Sequence, residues 1–81
     1  MLPRITAARY AGNFSVWLRF NDGLEGTVDL SRELVGEVFE PLTDVAYFAR
    51  VRLHPELHTL VWPNGADFAP EFLREKLLVA A

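Results

Sequence analysis

The feature that most limits the architecture is a pair of alternating segments on either side of a turn. Phe14, Val16, Leu18 and Phe20 recur at every second residue, with Ser15, Trp17 and Arg19 between them. That period places the apolar set on one face of a strand and the other set on the opposite face. Asn21-Asp22-Gly23 follows, and these residue types tolerate positive φ, the signature of a hairpin turn. From Leu24 to Leu30 the alternation resumes, with Leu24, Val28 and Leu30 on one side. A hairpin with one apolar face needs a second layer to cover it. Upstream, Ile5 to Tyr10 reads as a third strand completing a meander, although its alternation is weaker.

The remainder of the chain predicts that second layer. A short helix is expected over Arg32 to Val35, capped by Asp29 or Ser31 and stopped by Gly36. A second short helix is expected from Pro41 to Phe48, with Leu42, Val45, Ala46 and Phe48 as its apolar face. Two short strands, Arg50–Leu53 and His58–Trp62, are expected around a Pro55-Glu56-Leu57 loop. Trp62-Pro63-Asn64-Gly65-Ala66-Asp67 reads as a loop, and Pro70 to Leu78 as a closing helix burying Phe72, Leu73, Leu77 and Leu78. The sum is a single α+β domain over residues 1–81: a small two-layer structure, an antiparallel sheet of about five short strands with short helices on one face. Strand order in the sheet does not follow from the pattern.

Composition narrows the function classes. Hydrophobic residues make up 51% of 81 positions, with six Phe, two Trp and two Tyr, so packing alone suffices for a small core. There is no cysteine, which removes disulfides, zinc-thiolate sites and thiol nucleophiles. The opening Met-Leu-Pro-Arg-Ile-Thr lacks the apolar run of a signal peptide, and no stretch reaches the ~18 apolar residues of a membrane helix. A cytoplasmic, bacterial-type protein with no membrane partner is the expectation.

Charge is uneven. Arg4, Arg9 and Arg19 stand without an acid in the first 19 residues, whereas Asp22, Glu25, Asp29, Glu33, Glu37, Glu40 and Asp44 face only Arg32 between 22 and 44. Phosphate-backbone binding needs a concentrated basic face, so direct nucleic-acid binding is disfavoured.

Phe20-Asn21-Asp22-Gly23 leading to Val28-Asp29-Leu30, then Leu42 to Phe48, then Trp62-Pro63-Asn64-Gly65-Ala66-Asp67 before Pro70-Glu71, resembles the small bacterial family called domain of unknown function twenty-four forty-two. The resemblance runs from Ile5 to Leu73, and the Trp-Pro-Asn-Gly-Ala-Asp stretch is its most specific part. It implies an α+β fold and no established activity. Some relatives carry a helix-turn-helix segment or sit beside small partner genes in a toxin–antitoxin-like arrangement. The resemblance therefore implies a regulatory or antitoxin-like role, here without the fused DNA-binding segment.

Candidate sites are few. In the Trp62–Asp67 loop, Trp62, Asn64 and Asp67 could contact a small ligand. Equally, Asn64-Gly65 could form a tight turn, Trp62 fill the core and Asp67 accept N–H groups near the last helix. His54 and His58 would be cross-strand partners if Pro55-Glu56-Leu57 is a three-residue loop, with Glu56 beside them, but that set is too small to expect a metal. Ser15 and Ser31 lie outside any strained nucleophile turn, and no glycine-rich phosphate loop occurs, so no catalytic residue, cofactor or metal is expected. Ser15, Trp17 and Arg19 alternate outward, with Arg50, Arg52 and His54 expected on one face of their own strand. An outward Trp among arginines has the composition of an interface anchor. Glu33 and Glu37 belong to an acidic block suited to a basic protein partner. The expected function is a non-enzymatic protein-interaction or regulatory module, a homodimer or one half of a small complex. The alternative is a small-ligand sensor using the Trp62–Asp67 loop.

Overall fold

The computed structural model describes residues 2–80. Three strands, β1 (Ile5–Tyr10), β2 (Ser15–Phe20) and β3 (Glu25–Asp29), form an antiparallel meander in the order β1-β2-β3. Two 3-10 segments (Ser31–Glu33 and Glu37–Thr43), the single-turn helix α1 (Val45–Phe48), the strands β4 (Arg52–Leu53) and β5 (Leu60–Val61) and the helix α2 (Pro70–Ala80) complete the chain. The α+β class is as expected, but the strands divide into a three-stranded sheet and a separate β4-β5 pair instead of one sheet of about five. Two-residue strands offer too few ladder groups to extend the meander.

Register explains why β1 is hard to read. Ile5 lies opposite Phe20 and Ala7 opposite Arg19, so Thr6 is an extra residue, a β-bulge. Strict alternation would put Ile5 on the face of Ala7 and Arg9. The bulge turns it to the other side, where it is fully buried beside Phe20. The β1–β2 connection uses Gly12 at φ 96° and Asn13 at φ 48°, and Ser15 N–H donates to the Gly12 carbonyl at 3.0 Å. This Gly-Asn turn is a signal the sequence reading passed over. The β2–β3 turn is the expected one, with Gly23 at φ 91° and the Asp22 carboxylate accepting the Leu24 N–H.

One core serves the whole chain. Val16, Leu18, Phe20, Val28 and Leu30 from the inner sheet face meet Leu42, Phe48, Leu60, Trp62, Phe68, Leu73 and Leu77. Aromatic rings run through it: Phe14 and Trp62 pack on Phe48, and Phe68 links Trp62 to Phe39 and Phe72. Helix α2 crosses β3 so closely that a Cβ on Gly26 would stand 2.6 Å from Leu77 Cδ1.

Several boundaries differ from expectation. The first helix is three residues of 3-10 structure, Ser31–Glu33, and Leu30 precedes it without a side-chain cap; Asp29 instead accepts the Ser31 N–H at 2.9 Å. The Pro41–Phe48 helix is broken in two. Pro41 lies inside the 3-10 segment, where it cannot donate to continue an α ladder, and Asp44 then caps α1 by accepting the Ala46 N–H. Arg50 sits in the turn after α1, outside β4. Helix α2 buries Leu73 and Leu77, while Phe72 is 37% and Leu78 55% exposed. A three-stranded sheet is narrow, so it covers a two-residue stripe of the helix instead of the wider band expected.

Candidate functional site: the outer face of the sheet

Every helix and the β4-β5 pair contribute to the core on one side of the meander. On the other side the register aligns Arg9, Trp17 and Thr27 in one row, and Ala7, Arg19 and Glu25 in the next. Trp17 is half-buried without belonging to the core. Its ring lies between two guanidinium groups, Arg9 at 4.6 Å and Arg19 at 5.2 Å from the centroid. Each is within cation–π range, so the indole has a charged neighbour both across the strands and along its own strand. Arg19 also pairs with Glu25 across the strands at 2.8 Å. The face is thus electrically divided, with arginines on β1 and β2 and the carboxylates Glu25 and Asp29 along β3.

The other sequence-derived candidates lie elsewhere. Trp62 is a core residue whose indole N–H donates to the Phe48 carbonyl at 2.9 Å. Asn64 is exposed, but its amide ties the loop together: Oδ1 accepts the Ala66 N–H, and Nδ2 donates to the Val38 carbonyl at 2.9 Å. Pro63-Asn64-Gly65 forms the tip of a small hairpin, with Trp62 N–H donating to the Ala66 carbonyl and Val61 bridged to Asp67. Asp67 is exposed. Among the described residues its carboxylate accepts no N–H at the start of α2, because the chain reaches that helix three residues later.

The histidines do not face each other. His54 N–H donates to the Thr59 carbonyl, so the loop is Pro55 to His58, one residue longer than expected, and His58 turns at φ 53°. The His54 Nδ1 accepts two loop N–H groups, from Glu56 at 3.1 Å and Leu57 at 3.0 Å, which gives this side chain a structural role in the loop. Among the described residues no three His, Asp or Glu side chains are gathered to hold a metal ion.

The acidic block is mostly engaged. Glu33 pairs with Lys76 at 3.1 Å, and Asp22 forms a two-pronged pair with Arg74. The Arg74 guanidinium holds the Asp22 carboxyl below its ordinary range, helped by the Leu24 N–H, and the Ser31 N–H does the same for Asp29. Glu37 and Glu40, which line a shallow depression with Asp44 and Tyr47, form no ion pair among the described residues. Glu33 is thus paired within the chain, whereas Glu37 is exposed.

The geometry defines a small α+β domain whose most distinctive surface is an uncovered sheet face, without a gathered metal-ligand cluster among the described residues. Residues 5–77 match the family described as protein of unknown function DUF2442, and the chain belongs to that family. Comparison with curated proteins and with solved structures finds no match. No helix of the described residues is long and apolar enough to cross a membrane.

Proposed function

We propose that this chain is a non-enzymatic protein-interaction module that docks, through the outer face of its meander, onto a second copy of itself. The observation that carries this reading is Trp17, held on an uncovered sheet face between Arg9 and Arg19. A half-buried aromatic immobilised before binding loses little entropy on docking, and Trp and Arg are the residue types most enriched at binding hot spots.

Charge favours a like partner. A two-fold axis parallel to the strands stacks two outer faces so that β1 of one copy lies over β3 of the other. Arg9 of each then approaches Glu25 and Asp29 of its mate, an isologous and self-complementary contact. An antitoxin-like regulator, which the family resemblance suggests, would be one use of such a module.

Sedimentation across a wide concentration range tests this. A dimer is expected, weakened by salt, and both Trp17→Thr and Arg9→Glu should shift it to monomer without loss of cooperative unfolding. A strict monomer at high concentration would refute self-docking.

A further inference from the structure

We infer that the free edge of β3, together with the groove between β3 and α2, is a binding site for an extended peptide segment that alternates apolar and basic side chains. This goes beyond self-docking: stacking outer faces leaves the backbone edge of β3 and the groove open, and the two contacts share only the carboxylates Glu25 and Asp29.

The first support is the ladder. Phe20 N–H donates to the Leu24 carbonyl and Leu30 N–H to the Phe14 carbonyl. These bonds set the phase of the β2–β3 pairing, in which Val16 lies opposite Val28 and Leu18 opposite Gly26. Antiparallel pairs alternate between bonded and non-bonded. The even-numbered residues of β3 therefore bond to β2, and Glu25, Thr27 and Asp29 direct their N–H and C=O groups away from the sheet. No strand pairs there among the described residues, and all three residues are exposed. The far edge of β1, by contrast, is met by the loop after β4, where Ile5 N–H donates to the His58 carbonyl at 2.9 Å.

The second support is the groove beside that edge. Val28, Asp29, Phe72, Glu75, Lys76 and Val79 line a volume of about 420 Å³. Phe72 and Val79 are two of the apolar helix residues the narrow sheet leaves uncovered, and Val79 is 81% exposed. A strand added along β3 would send alternate side chains over α2 and the rest onto the outer face. The inner set meets Phe72 and Val79. The outer set meets Glu25 and Asp29, which point to the outer face with Thr27 between them.

Charge selects the occupant. Asp29 and Glu75 border the groove, and the one cation among its lining residues, Lys76, is paired with Glu33. Self-pairing of two β3 edges centred on Thr27 would set Glu25 of one copy opposite Asp29 of the other, and like charges directly opposed are destabilising. The acids that protect this edge from its own kind suit lysines or arginines at alternate positions.

The test uses the full chain and three synthetic peptides, with affinity read by fluorescence anisotropy and contacts by amide chemical shifts. The probe is a capped Lys-Val-Lys-Val-Lys-Val-Lys peptide. The comparisons are its Glu-Val counterpart and a Lys-Val peptide N-methylated at alternate amides, in each of the two possible phases. The unmodified Lys-Val peptide should bind, with the largest shifts at Glu25, Thr27 and Asp29. The Glu-Val peptide should bind at least about tenfold more weakly, and one methylation phase should weaken binding roughly a hundredfold, as expected for losing about three interstrand hydrogen bonds. Thr27→Pro removes an outward N–H while sparing the ladder to β2, and Val79→Lys places a like charge in the groove at a site where folding is insensitive. Each should weaken binding about tenfold or more. Equal binding of the methylated peptides, shifts confined to other residues, or an unaffected Val79→Lys protein would overturn the inference. A monomeric protein in the sedimentation test would leave it standing.

Discussion

The indole N–H of Trp62 donates to the carbonyl of Phe48 at 2.9 Å, joining the tip hairpin to the single turn of α1 inside the core. Trp62→Phe keeps a ring but removes one of the two N–H groups that carbonyl accepts, leaving only Val51 N–H at 3.1 Å. Stability should fall by about 0.5–1.5 kcal/mol, the net contribution of one buried hydrogen bond, measured by urea denaturation. An unchanged midpoint would mean water or a shifted backbone replaces the indole.

Two glycines are required for different reasons, and one experiment separates them. Gly65 has φ 86° with open space around it, so Gly65→Val should cost about 1–2 kcal/mol through backbone strain alone. Gly26 has no such conformation but faces Leu77 Cδ1 at 2.6 Å, so Gly26→Val should cost about 1–3 kcal/mol through overpacking. In a Leu77→Ala background the Gly26→Val penalty should shrink while the Gly65→Val penalty stays. Additivity at both sites in a double-mutant cycle would contradict the close approach of α2 to β3.

Acid should destabilise the protein partly through Asp22. Its folded pKa lies below the ordinary value because of Arg74, and Asp29 is lowered by Ser31. A depressed carboxyl stabilises the fold above the unfolded pKa of about 3.9 and loses that contribution as pH falls through the folded value. Urea midpoints between pH 6 and pH 2 should therefore drop, with a shallower drop in Asp22→Asn. A steeper drop in that variant would reverse the assignment.

His54 should matter as an acceptor and not as a metal ligand. His54→Ala removes the partner of two loop N–H groups and should cost about 1–2 kcal/mol. His54→Asn, whose Oδ1 accepts in similar turns, should recover part of it. Dialysis against a chelator should leave the Tm unchanged, and a fall of many degrees would show that a metal is bound after all.

Local pattern was enough for β2, β3 and the turn between them, because Phe14 to Leu30 alternates without interruption around Asn21-Asp22-Gly23. The same holds for the turn at Gly65 and the existence of α2. It was also enough to single out Trp17 and Arg19 as outward residues, since β2 parity needs no partner to be read. Tertiary structure decided the rest. The Thr6 bulge that buries Ile5 exists because the core, not the strand, has room for that side chain. Arg9 joins Trp17 only through cross-strand register, which places residues eight apart in sequence side by side. Phe72 and Leu78 look like core residues in a helical pattern, yet a three-stranded sheet is too narrow to cover them. The histidines at 54 and 58 were misplaced by one loop residue, because a positive φ at a non-glycine position leaves no mark in composition. Similarly, the acids from Asp22 to Asp44 form a block only along the chain: folding hands Asp22 to Arg74 and Glu33 to Lys76, both on α2, whose distance in sequence hides the pairing.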